Sequence, residues 1–168
     1  TLNTGDINIP AGIVTPGTSK IRFTGTDQQK FYLTTAHDVE NAKMSGELLF
    51  KYDAFNLNTL KLTPGTLTTL PSMGRPVNVN GLDVQGEAGN LAVVRTMDVG
   101  SVCRLSLQPG GTQVIRYADL RDLDAVYGCA LDASDNCVDS TGSNLVFFGG
   151  SRIWDGGGTT NALSEAAN

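Results

Sequence analysis

A chain of 168 residues with 40% hydrophobic residues, 17% charged residues and a formal net charge of −5 can bury a core of its own and is too apolar to be disordered. The acidic balance gains nothing from counterion release on phosphate, which argues against a nucleic-acid partner. No apolar run reaches the length of a membrane span, so membrane insertion is not expected either.

The 20 glycines, with frequent Thr and Asn, describe short strands separated by many turns rather than long solvated helices. The first residue is Thr1 rather than Met, which fits a chain numbered from a mature end or one that has lost a leader. Thr1–Pro10 reads as an extended arm in which Ile7 and Ile9 alternate with polar residues. Ser19–Thr24 and Lys30–Thr34 alternate as half-buried strands, and the Gly25-Thr26-Asp27 turn between them predicts a hairpin. Thr35–Met44 is the best helix candidate, because Thr35 and Asp38 have capping-box spacing and Ser45-Gly46 would stop it.

Strands follow at Glu47–Tyr52, Leu57–Leu62 and Thr66–Leu70. Val77, Val79 and Val84 flank Asn80-Gly81, a strong hairpin signal. Asn90–Thr96 is apolar without clean alternation and predicts a strand buried on both faces. Ser101–Leu107 and Thr112–Tyr117 read as strands joined by a Pro109-Gly110-Gly111 turn, and Ala118–Asp124 as one helical turn. Strands over Val126–Leu131 and Asn144–Phe148 come next, with Ile153-Trp154 closing the core and a Gly-rich arm over Gly156–Asn168. With no repeat, heptad or linker evident, the expectation is one all-β domain over 1–168. It would be an antiparallel sandwich or barrel of about a dozen short strands with one or two short helices.

Three constellations bear on chemistry. The first is Phe31-Tyr32-Leu33-Thr34-Thr35-Ala36-His37-Asp38-Val39, which resembles the histidine motif of chymotrypsin-like serine proteases. Gly89-Asn90-Leu91-Ala92-Val93 is similar to that family's acid-bearing strand, and Cys137–Val146 to its nucleophile segment, in the same order. The resemblance implies a double β-barrel with His37, Asn90 and Thr141 as its triad. This chain departs from the pattern at Asn90, where the aspartate belongs, at Thr141, where the serine belongs, and at Asp139, which replaces the oxyanion-hole glycine. The catalytic set is therefore incomplete, and the plainer reading of His37 is a histidine making an ordinary hydrogen bond.

The second constellation is acidic. Asp119, Asp122, Asp124, Asp132, Asp135 and Asp139 crowd one stretch, and Asp132, Asp135 and Asp139 are candidate Ca²⁺ ligands, with a solvated acidic face as the favoured alternative. The third is the pair Cys129 and Cys137, whose spacing suits a disulfide worth about 2–3 kcal/mol, with Cys103 left as a core thiol.

The function expected is that of a non-enzymatic structural subunit of an extracellular, cell-surface or virion assembly, such as a pilus-like filament, a capsid shell or a decoration protein. It would need no cofactor and would pair with copies of itself or another subunit through β edges and its two ends, with Ile7, Ile9, Trp154 and Leu163 at the contacts. One alternative is a degenerate protease. Another is an extracellular module binding Ca²⁺ or carbohydrate through the acidic loop and an exposed aromatic, Tyr127 or Trp154.

Overall fold

The computed structural model describes residues 20–25, 27–31, 37–43, 46–50, 55–72, 75–98, 100–148, 152–153 and 164–165. The expected antiparallel sandwich or barrel is wrong. The chain is a parallel β-solenoid of about five turns, with no helix among the described residues. One six-stranded sheet is built from β1 (Lys20–Phe23), β3 (Asp38–Asn41), β5 (Phe55–Leu62), β7 (Val77–Gln85), β9 (Cys103–Arg116) and β11 (Leu123–Asp124), in that order. The opposite six-stranded sheet runs β2 (Gln29–Phe31), β4 (Glu47–Phe50), β6 (Leu67–Leu70), β8 (Ala92–Thr96), β10 (Ala118–Leu120) and β13 (Val138–Asp139). Successive strands alternate between the sheets, so each strand pairs with the one a full turn away. Lys20 lies beside Asp38, Asp38 beside Thr59 and Thr59 beside Gly81, a step of roughly 20 residues typical of stacked repeats.

The alternation read from the sequence serves this winding equally well. Inward residues stack into columns: Ile21, Val39, Leu60 and Leu82 form one, and Phe23, Asn41, Leu62, Val84 and Ile115 the next. The two sheets meet through rings. Phe50 stands 5.0 Å from Phe55 and 5.2 Å from Phe31, and Phe31 stands 6.0 Å from Phe23, all four fully buried. Each such side chain contributes about 1.5–3 kcal/mol on leaving water. Asn41, the polar member of its column, is satisfied because Nδ2 donates to the carbonyls of Gly46 and Leu67 at 3.4 and 3.1 Å and to Thr68 Oγ1 at 3.3 Å.

Several local expectations change with the topology. Residues Ser19–Thr24 and Lys30–Thr34 do not form a hairpin, since β1 and β2 belong to opposite sheets. Within the predicted helix over Thr35–Met44, Asp38–Asn41 form strand β3, and Ala118–Asp124 supplies β10 and β11. Asn80-Gly81 lies inside the continuous strand β7. Pro109-Gly110-Gly111 is a bulge inside β9: Val79 faces Leu107 but Gly81 faces Thr112, so the extra residues are pushed outward. Gly111 is required there, because a Cβ would stand 2.6 Å from the Asn80 carbonyl oxygen. Strand β8 alternates buried and half-buried residues and is not buried on both faces.

Beyond the stack, β12 (Leu131–Asp132) pairs with β14 (Val146–Phe147) in parallel. The final pair, β15 (Arg152–Ile153) and β16 (Ser164–Glu165), is antiparallel. Most of the two predicted arms lies outside the described residues, as do the expected contact residues Ile7, Ile9, Trp154 and Leu163. Among the described residues no helix is long and apolar enough to cross a membrane.

Candidate functional site: an outer face and a corner groove

Parallel register puts equivalent positions of successive turns side by side, so the outer face of the first sheet carries columns of polar residues. Arg22, Glu40, Lys61 and Asp83 occupy one column in alternating charge. Glu40 accepts from Lys20 Nζ at 3.5 Å and from Arg22 Nε at 3.4 Å, and Lys61 Nζ lies 3.0 Å from Asp83 Oδ2. Like charges in that column would repel across each strand spacing of about 4.8 Å, whereas alternation makes every neighbour attractive. A second column stacks amides, with Asn78 Nδ2 donating to Asn56 Oδ1 at 2.8 Å.

Where the first sheet turns toward the second, the columns open into a groove of about 420 Å³. Lys61, Thr63, Gln85, Glu87, Arg116 and Tyr117 line it. Gln85 joins the wall together, donating to Asp83 and accepting from Arg116 Nη2. The floor is tight: Gly86 N–H donates to the Arg116 carbonyl at 3.0 Å, and a Cβ on Gly86 would stand 2.0 Å from the Tyr117 carbonyl oxygen. Tyr117 itself is left-handed at φ 46°, a conformation bulky residues adopt only when their surroundings impose it.

The solenoid separates the expected triad. His37 enters the corner that leads into the first sheet, Asn90 lies on the opposite corner between β7 and β8, and Thr141 follows β13 at the far end of the stack. His37 follows β2, the first strand of its sheet, and Thr141 follows the last, so five strand spacings, on the order of 20 Å, lie between them. The protease reading fails on this geometry. His37 is buried, with 4% of its surface exposed, and its carbonyl accepts from Asn58 and Thr59 N–H at 2.8 and 3.4 Å. Burial lowers its pKa below the ordinary imidazole value, partly offset by the Asp38 carboxylate. Asn90 is exposed and closes a turn, its N–H donating to the Glu87 carbonyl at 2.9 Å and its own carbonyl accepting from Gly65 N–H at 3.1 Å.

The acidic stretch holds turns together. Asp139 accepts from Gly142 and Ser143 N–H at 2.8 and 2.9 Å, Asp132 from Ser134 N–H at 3.1 Å, and Asp135 from Asn136 Nδ2 at 2.7 Å. Asp119 is buried between Arg121 and the Ser140 hydroxyl, which donates to it at 2.6 Å. Among the described residues no three His, Cys, Asp or Glu side chains are grouped to hold a metal. The expected Cys129–Cys137 bridge is not made, and all three cysteines are free thiols. Cys129 N–H is bound to the Leu107 carbonyl at 2.8 Å and Cys137 Sγ to the Asp135 carbonyl at 3.4 Å. Burial, reinforced by Asp124, pushes the Cys103 thiol far up, so it is unreactive as a nucleophile. Exposed Tyr127 carries the Arg104 guanidinium 4.3 Å above its ring.

Comparison with protein-family models, with curated proteins and with solved structures finds no match. The outer columns and the groove went unread in the sequence because their members are far apart in the chain. One signal was present: Gly25, Gly46, Gly65 and Gly86 recur at solenoid spacing, and each stands at the corner before a strand of the second sheet.

Proposed function

We propose that this protein is a non-enzymatic structural module of an extracellular, cell-surface or virion assembly, in which rigid solenoid units associate with copies of themselves or with another subunit. The supporting observation is the parallel register carried across two six-stranded sheets, interrupted between β7 and β9 only by the bulge at Pro109-Gly110-Gly111, with apolar columns inside and charge-alternating and amide columns outside. Such a stack is stiff, because each turn is bonded to its neighbours along the whole strand. Six strands span only about 24 Å at the ordinary spacing, so a fibre or shell built from this unit requires repetition. At its C-terminal end the first sheet is already covered, since Asn144 N–H donates to the Leu123 carbonyl at 2.7 Å and Ala125 N–H to the Asn144 carbonyl at 3.0 Å, so edge pairing with another chain would fall to the opposite end, at β1 and β2. The only catalytic constellation suggested by the sequence is dispersed over opposite corners, which also favours a mechanical role.

The test is sedimentation velocity with negative-stain imaging of the full chain over a rising concentration series. Oligomers that grow with concentration are expected. A compact monomer at the highest concentration would overturn the proposal.

A further inference from the structure

We propose that the corner groove beside Lys61, Gln85, Arg116 and Tyr117 is a binding site for a neutral oligosaccharide, read by side chains alone. The site is distinct from Tyr127 and from the acidic turns, and it does not depend on whether copies assemble. Its wall crosses three successive turns of the solenoid, from β5 through β7 to β9. Lys61, Asp83, Gln85 and Arg116 form one connected run of hydrogen bonds along it. Planar amide, carboxylate and guanidinium groups held by one another present fixed donors and acceptors, which suits the adjacent hydroxyls of a sugar ring. Tyr117, half-buried, belongs to the same lining.

The charges select the class of ligand. Lys61 is matched by Asp83, while Arg116 and Glu87 bring one charge of each sign to the lining. A polyanion would meet Glu87 and a polycation Arg116, so a ligand with dense hydrogen bonding and no net charge fits best. A peptide in β-pairing is disfavoured because the groove's backbone donors are already used. Thr63 N–H donates to Asn41, Gly65 to Asn90, Thr66 to Thr63, Gly86 to Arg116, Glu87 to Asn90 and Tyr117 to Asp135.

Isothermal titration of the full chain with cellotetraose, chitotetraose and maltotetraose, beside a blocked uncharged hexapeptide and a polygalacturonate fragment, tests the proposal. Saturable binding of at least one neutral tetrasaccharide is expected. Gln85→Ala and Arg116→Lys should each weaken it about tenfold with an unchanged far-UV spectrum. Arg116 is exposed, so its conservative variant keeps the test valid should Gln85→Ala fail to fold. Tyr127→Ala should leave the affinity as it was. Silence from all three sugars, binding of only the peptide or the polyanion, or loss of binding on Tyr127→Ala with the groove variants unaffected would each overturn it.

Discussion

The stack from Lys20 to Arg116 and the closing region from Tyr117 to Phe148 solve the same problem by different means. In the stack, β5 and β7 have eight and nine residues, their register is continuous over most of their length, and the inward columns are buried throughout. In the closing region β11, β12, β13 and β14 have two residues each. Among the described residues, every non-glycine with positive φ lies there: Tyr117, Asp122, Asn136 and Leu145. Aspartates replace the missing ladder. Asp124 accepts from Val126 N–H at 3.0 Å and Asn144 Nδ2 at 3.2 Å, beside the turns held by Asp132 and Asp139. The lesson is that where strands are too short to satisfy the backbone through neighbours, short carboxylate side chains satisfy it locally.

That contrast can be broken at either end. The largest effect belongs to Phe50→Ala, which opens a cavity among Phe31 and Phe55 and should cost about 3–5 kcal/mol in urea unfolding. Because the stack is one bonded unit, amide protection should fall in β5 and β7 together; protection lost only around β4 would mean the turns are independent. Asp139→Ala should cost about 1 kcal/mol, as loss of a capping carboxylate does. Hydrogen exchange should quicken at Gly142 and Ser143 while β5 and β7 keep their protection, and a change across the stack would erase the distinction between the regions.

Glu40→Gln should cost about 0.5–1 kcal/mol: Lys20 and Arg22 are about half exposed and can turn to water, but the Glu40 carboxylate they hold is itself buried. The difference from the parent should shrink as salt rises, since screening weakens exposed pairs. The smallest effect is the pH dependence through His37. Its folded pKa lies below the ordinary value of about 6.5, so the folded state binds fewer protons than the unfolded chain in that window. Stability from this group is fully present above about pH 6.5 and declines as pH falls toward the folded pKa. Thermal melts between neutral and mildly acid pH should show this decline, and His37→Gln should flatten it.

Much of the strand content was legible, as with Glu47–Phe50, Phe55–Leu62 and Leu67–Leu70, because period-two alternation is local. The candidate site was hardly legible. Lys61, Gln85 and Arg116 carry no motif, and they meet only because the turns of the solenoid bring residues far apart in the chain into register. The match around His37 misled for the opposite reason: a strand-end histidine motif is a local pattern, while a triad is a spatial one. Read as a solvated face or a cation site, the acidic stretch did not show that Asp132, Asp135 and Asp139 accept from backbone or side-chain donors close by, because those bonds depend on the turns that the fold sets.

What the chain's own order of residues determined is that it would be all-β, with short strands, apolar faces and glycine- and aspartate-rich corners. Which strands became neighbours was decided only in three dimensions. An alternating strand buries the same face whether its partner runs with it or against it. Parallel winding was chosen by corners that carry the chain across to the opposite sheet after every strand, so that partners lie a full turn apart.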